Sequence, residues 1–252
     1  MNIYLYDPAI TQKSNLKEVA KIETRLTDLG LNGKIIRLGF SQSVAETIDT
    51  ETRKGAKTFV VVGGQKLFSQ ALNALVKMAR VSPSGKKIPL AYIPTTDNFI
   101  TEYLGLKINE AACDILSARR IESFGLGLVN NEFFLAQISI PTEGTKLEID
   151  ENYTVEIAEK GKIIVANTNE AGADGSPSRH KLSLQIQTGG LKTKIPFNRN
   201  LVQPSTFNFK ILTIINHQHP ILQDNALALS APARVSLASE QVSLVVGRGR
   251  QL

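Results

Sequence analysis

The chain has 252 residues, of which 42% are hydrophobic and 21% charged, with 18 glycines and 10 prolines. That balance excludes a collagen, a coiled coil or a disordered tail as its main content, and the length admits one large domain or two of about 120 residues. The net charge of +6 suits an anionic partner as well as a plain solubilising surface. Its distribution is uneven: residues 1–129 carry 17 basic and 12 acidic side chains, residues 130–174 carry 3 and 9, and residues 175–252 carry 9 and 2.

No apolar run approaches the roughly 18 residues of a membrane span. Residues 1–8 show neither the basic region nor the apolar stretch of a secretory signal. Cys113 is the only cysteine, which excludes an intrachain disulfide and a cysteine-based zinc site. The expected location is the cytoplasm, with attachment to an anionic membrane surface left open.

Taken in chain order, the first half alternates strand and helix signals. Asn2 to Tyr6 reads as a strand, and Leu16, Val19, Ile22, Leu26 and Leu29 form a helical stripe that stops at Gly30. Lys34 to Leu38 is a second strand, Ser43 to Arg53 a helix with Ser43 as its N-cap, and Thr58 to Val62 an apolar third strand. Gly63 and Gly64 follow at once, before a helix with Phe68, Ala71, Leu72, Leu75 and Ala79 on one face. A polar loop, Ser82 to Lys87, leads to a fourth strand, Pro89 to Ile93. Such alternation predicts crossover units and a mainly parallel sheet.

Beyond residue 118 the period changes to two. Phe124, Leu126 and Leu128 precede Asn130 and Asn131, a pair suited to a two-residue hairpin turn, and Phe133 to Ile140 reads as the returning strand. Further alternating runs are Tyr153 to Ile157, Leu182 to Ile186, Phe207 to Ile211 and Val242 to Val246. The predicted fold is an α/β N-terminal domain over residues 1–118, with a mainly parallel sheet and helices on both faces. An antiparallel β-sandwich follows over residues 119–252.

The strand, glycine pair and helix start at residues 58–68 form a possible phosphate cradle, because a side-chain-free backbone lets phosphate oxygens approach N–H groups at a positive helix end. The competing reading is plain turn geometry, and the Walker pattern is absent. In its context the run from Phe59 to Leu75 resembles the segment around GGDGT in the diacylglycerol kinase and NAD kinase superfamily. Ile93 to Gly105 is similar to the lipid-kinase motif PxGTxNDFAxxLG, and Phe124 to Leu135 to the "iDlGlvNgryFl" segment that opens the β-sandwich of those kinases. Tyr6 to Ala9 sits where that family has NPxSG. The resemblance implies ATP as cofactor and a cleft between the two domains, with Gly63, Gly64, Gln65, Lys66, Thr96 and Asn98 at the nucleotide.

The departures bear on activity. In an active member, carboxylates hold magnesium and activate the lipid hydroxyl, since phosphoryl transfer rests on positioning and charge neutralisation. Here the acid, third glycine and threonine of GGDGT are matched by Gln65, Lys66 and Leu67, and the acid of "iDlG" by Gly125. The glycine positions of the second motif fall on Thr95 and Asp97, Asp7 replaces the first motif's asparagine, and Val246 to Arg248 lacks the acids of a C-terminal DGE. Tight magnesium binding is therefore not expected. Asp97 and Asp7 are the candidate substitute acids, with a helix-start role the competing reading of Asp97; Lys66 either contacts phosphate or points to solvent.

His217 and His219, two apart on a predicted strand, lack an evident third metal ligand, so no metal site is expected. Aromatic residues are 6% with no tryptophan, which argues against nucleic acid as partner. Three functions stay open. The first is a catalytically decayed lipid-kinase homologue retaining an interdomain cleft for a nucleotide or a lipid. The second is an active ATP-dependent lipid kinase using substitute carboxylates, and the third a structural or interaction protein with a filled cleft. The sequence carries no signal of oligomeric state.

Overall fold

The computed structural model describes residues 1–12, 15–81, 87–170, 179–188 and 205–250. The predicted loop at Ser82 to Lys87 therefore lies, apart from Lys87, outside the described residues. The chain forms two compact units, Met1–Phe124 with Glu240–Leu252, and Gly125–Ser239. Sequence periodicity placed a single division after residue 118. The return of the C-terminal segment to the first unit comes from pairing that periodicity does not register. Leu244 lies beside Leu90 in parallel, and the amides of Val246 and Gly247 donate to the carbonyls of Arg120 and Leu104.

The first unit runs β1 (Asn2–Tyr6), α1 (Leu16–Asp28), β2 (Gly33–Arg37), α2 (Val44–Arg53), β3 (Thr58–Gly63), α3 (Gln65–Val81), β4 (Leu90–Pro94), α4 (Phe99–Tyr103) and α5 (Glu110–Ala118). Its strands are parallel in the order β2-β1-β3-β4. Alternate residues of the central strands enter opposite cores, as a sheet covered on both faces requires. Tyr4, Tyr6, Val60 and Val62 pack with Val19, Ile22 and Leu26 of α1 and Cys113 and Leu116 of α5. Ile3, Leu5, Phe59 and Val61 are buried on the other face, where α2 meets α3.

The sequence signals for helix ends have direct counterparts. Gly30 takes φ +66° after α1, with Leu31 N–H donating to Leu26 O at 2.9 Å and Gly30 N–H to Thr27 O at 3.0 Å, a Schellman closure. Ser43 caps α2 by accepting from Glu46 N–H at 3.3 Å. Of α4 only a start at Asp97 was anticipated, and α5 was not anticipated at all. The first has five residues, too few for a periodic stripe, and owes its existence to a capping box at Asn98.

The second unit is built from β5 (Ile121–Val129, from Gly125), β6 (Glu132–Phe134), β7 (Gln137–Pro141), β8 (Lys146–Ile149), β9 (Tyr153–Glu156), β10 (Gly161–Glu170), β11 (Arg179–Thr188), β12 (Ser205–Asn208), β13 (Ile211–Ile215), β14 (Ile221–Gln223), β15 (Leu227–Leu229) and β16 (Ala233–Val245, to Ser239). One antiparallel sheet has the order β12-β11-β10-β7-β14-β15. Facing it, β13 pairs with both β16 and β8, and β8 with β9. Ile163, Val165, Leu182 and Leu184 from the first sheet share a core with Leu147, Leu212, Ile214 and Val235 from the second, the packing of a β-sandwich.

Two predicted strands are broken, and in both cases an aspartate takes the backbone amides at the break. The run Phe133 to Ile140 divides into β6 and β7 because Leu135, Ala136 and Gln137 donate their N–H groups to the buried Asp224 carboxylate at 2.8–2.9 Å. Burial pushes that carboxyl upward in pKa, against the pull of the three donors. The run Phe207 to Ile211 divides into β12 and β13 because Lys210 and Ile211 donate to Asp150, whose pKa these bonds lower.

The predicted hairpin at residues 130–131 is present, with Val129 opposite Glu132, although only Asn130 takes a positive φ. His217 and His219 lie in a turn, not on a strand. The Asn216 side-chain oxygen accepts from Gln218 and His219 N–H there, which diverts the backbone from the ladder. Among the described residues no helix is long and apolar enough to cross a membrane.

Replacing Asp224 with alanine leaves three amides unsatisfied and should cost about 3 kcal/mol or more, read from urea unfolding. In the first unit, buried Glu51 accepts from Lys34 at 2.7 Å and Lys54 at 3.1 Å, and the Lys34 bond is the main cause of its lowered pKa. A carboxyl lowered in the folded state stabilises above its unfolded value, and that contribution is lost as pH falls through the folded value. Thermal melts should therefore show an acid limb below about pH 4.5, the ordinary value, that flattens in Glu51→Gln.

Candidate functional site

In the strand order β2-β1-β3-β4 the connections from β1 and from β3 leave toward opposite sides, so a topological switch point lies at the C-terminal ends of these two neighbours. The residues following them are Asp7 and Gly63–Gly64, and β4 brings Thr95 to Asn98 to the same edge. Topology alone thus gathers most of the sequence-derived candidates.

The contacts are specific. Asp7 N–H donates to Val62 O at 2.9 Å and so prolongs the parallel register by one residue. Its carboxylate then accepts from Ala9 N–H at 2.9 Å, starting a short 3-10 helix at Pro8–Thr11, and from Gly64 N–H at 3.2 Å. Gly63 takes φ +140°, and a Cβ built there would lie 2.3 Å from Asp7 Cβ. Only glycine permits this approach.

On the other side of the turn, Gly63 O accepts from the Tyr92 hydroxyl at 3.1 Å and from Thr95 N–H at 3.3 Å. Burial raises the Tyr92 pKa, so the phenol remains a donor at neutral pH. Its ring stacks on Phe68 of α3 with centroids 4.9 Å apart.

The sequence-derived residues have unequal freedom to bind. Asn98 donates to the Tyr92 hydroxyl at 3.1 Å and to Thr96 O at 3.0 Å, while its oxygen accepts from Ile100 N–H at 3.1 Å and Thr101 N–H at 3.2 Å. Both donors and both lone-pair directions are committed, which makes it a structural cap. Asp97 precedes this cap and is exposed, so the helix start assigned to it from sequence belongs to Asn98. Thr96 is exposed, as is Lys66 in the first turn of α3, whereas Gln65 beside it is buried.

In the second unit, Gly125 has no room for a side chain. A Cβ there would lie 2.2 Å from His180 Cγ, and the Gly125 carbonyl accepts from the buried Asn167 amide at 2.8 Å. Sequence reasoning gave His180 no part near this position. Its place follows from its register on β11, opposite Asn169 of β10, which no local pattern in the sequence marks.

A magnesium-bound nucleotide does not fit these residues well. At the turn Gln65 offers no carboxylate, and Asp7 is already engaged by two N–H groups. Among the described residues no group of three or more His, Cys, Asp or Glu side chains is arranged to hold a metal.

No protein-family model and no curated protein matches the sequence. The fold is similar to solved structures described as diacylglycerol kinases of Bacillus anthracis strain Sterne, two of them provisionally. The first is 15% identical, with a TM-score of 0.69 and coverage of 99% of this chain and 98% of that one. A second is 16% identical, with a TM-score of 0.67 and the same coverage. A third, 15% identical, has a TM-score of 0.69 over 98% of this chain and 97% of that one. The chain therefore has a diacylglycerol kinase-like fold.

The Asp7 contact can be isolated by mutation. Gly55 also has a positive φ, at +87°, but nothing lies within 4 Å of a Cβ there. Gly55→Ala should cost about 1 kcal/mol and Gly63→Ala at least about 2 kcal/mol more, read from denaturant midpoints. Adding Asp7→Gly should recover part of the Gly63→Ala loss.

Proposed function

We propose that this chain is a diacylglycerol kinase-like protein that has lost phosphoryl transfer and keeps the Gly63–Gly64 turn as a weak, magnesium-independent site for a nucleotide phosphate. The observation that carries this reading is the Asp7 carboxylate on the Gly64 amide at 3.2 Å. A phosphate oxygen approaching that turn meets a resident anion already bound to the donor it would use. It must either displace Asp7 or settle for the remaining donors and the exposed Lys66 at the start of α3.

Transfer of a phosphoryl group spreads negative charge over several oxygens and depends on cations placed against them. Magnesium, when bound in an active kinase, supplies that neutralisation. Gln65 and Gly125 can neither hold the ion nor accept a hydroxyl proton at neutral pH. What this chain's own residues do at the turn is bind and exclude: the Gly64 amide donates, Lys66 attracts anions, and Asp7 repels them.

A second reading is supported by the same carboxylate. Asp7 faces both glycines, and an active kinase using substitute acids would need one there. The two readings diverge in the tube. Purified protein with ATP, magnesium and diacylglycerol should give no phosphorylated lipid above background, and Gln65→Asp alone should not restore it. In calorimetric titration Asp7→Asn should bind ATP severalfold more tightly, and Lys66→Glu more weakly, with little effect of magnesium. Lipid-dependent ATP consumption by the unmodified chain, abolished by Asp7→Asn or Asp97→Asn, would establish the active kinase instead. ATP binding absent in all variants would leave a filled turn with a purely structural or interaction role.

A further inference from the structure

We propose that the free edge of the first unit's sheet pairs with the same edge of a second copy of this chain, β2 against β2 in antiparallel sense about Ile35. This goes beyond the nucleotide reading and does not depend on it, since every residue involved lies within Met1–Phe124. Strand β2 ends the sheet order β2-β1-β3-β4 and, among the described strands, pairs with β1 alone.

The register fixes which backbone groups stay open. Leu38 N–H donates to Tyr6 O at 3.1 Å, and Tyr6 lies opposite Arg37, so the even-numbered residues of β2 turn their N–H and C=O groups to β1. Gly33, Ile35 and Arg37 therefore turn theirs outward, and among the described residues these groups have no backbone partner. Such a row of donors and acceptors is a template for a further strand. The usual safeguards are weak here. The strand carries no proline and no bulge, and its two charged side chains are each matched within the chain. Lys34 donates to Glu51 at 2.7 Å and Arg37 to Glu23 at 2.7 Å.

A second copy suits this edge because Gly33-Lys34-Ile35-Ile36-Arg37 is complementary to itself. With Ile35 on a two-fold axis, Ile35 meets Ile35 of the second copy and Gly33 meets Arg37, so the outward residues bond to one another in pairs. The glycine leaves room for the long arginine facing it. Ile35, 38% exposed in the single chain, gains an apolar neighbour. On the opposite face Lys34 lies across from Ile36, and no like charges stand directly opposed.

The charges flanking the edge match as well. Glu51 accepts from both Lys34 and Lys54, which leaves this cluster one positive charge in excess near the start of β2. Exposed Glu46, in the first turn of α2, lines a cavity of about 510 Å³ together with Ile36, toward the end of β2. Antiparallel pairing sets the positive cluster of each copy against Glu46 of the other. Five residues a side are fewer than the roughly 20–30 of a standard interface, so the dimer is weak and forms at high protein concentration.

The test is sedimentation velocity of the full chain across the micromolar to millimolar range. The unmodified chain should pass from monomer to dimer, less readily at high salt. Ile35→Pro should raise the dimer dissociation constant at least about tenfold, since it removes an outward N–H and spares the ladder to β1. Glu46→Lys should raise it several fold, whereas Tyr153→Lys, on the exposed β9 of the second unit, should leave it unchanged. If Ile35→Pro does not fold by thermal melting, Ile35→Lys takes its place by setting two ammonium groups face to face. Cross-linking reads the register. Ile35→Cys should form disulfide-linked dimers under mild oxidation, because directly paired Cα atoms lie about 5.5 Å apart and the native Cys113 is buried. Arg37→Cys, out of register with its own copy, should not. Monomer at every concentration, a dimer indifferent to the Ile35 variants, or equal cross-linking through Arg37→Cys would overturn the proposal.

Discussion

The parallel pairing of β1 with β3 is the constraint from which the first unit follows. Both strands are buried on both faces, so neither can shift register without moving an entire alternating set of large side chains between cores. With that register held, Asp7 and Gly63–Gly64 have to emerge side by side at the strand ends. The neighbouring connections leave in opposite directions, which makes this the topological switch point of the sheet. The glycine conformation, the Tyr92 and Asn98 hydrogen bonds and the start of α3 are all arranged around this one meeting point.

Asp7, Asp150 and Asp224 illustrate a shared device. Each carboxylate accepts from backbone amides that would otherwise belong to a ladder or remain unpaired at a bend. At Asp224 the device is deeply buried, and three donors in succession oppose but do not overcome the desolvation of the carboxyl. At Asp150 it stands near the surface and turns the chain from one sheet to the other. At Asp7 it operates at the turn proposed as the phosphate site, where it engages the Gly64 amide.

The proposed retention of the fold without its phosphoryl-transfer chemistry has a physical basis. The scaffold rests on apolar periodicity and backbone pairing, which tolerate any residue of suitable volume. The chemistry rests on a few side chains that must be acids. At Gly125, which the resemblance sets opposite one such acid, His180 occupies the volume a side chain would need. Placing an acid there would require moving a second strand's residue as well.

The alternation of strand and helix, the switch to period two near residue 118, the Ser43 cap and the Gly30 stop were legible in the sequence. They arise from local spacing and from the steric demands of single residues. So was the likeness to lipid kinases, because glycines and apolar flanks at a strand-to-helix turn are local features too. Tertiary structure alone decided the return of residues 240–250 to the first unit, the breaks at Leu135 and Phe209, and the commitment of Asn98 to a cap. It alone placed Asp7 on the Gly64 amide and His180 on Gly125. These pairs are separated by tens of residues and joined by single hydrogen bonds or contacts, so neither partner leaves a periodic trace in the sequence around it.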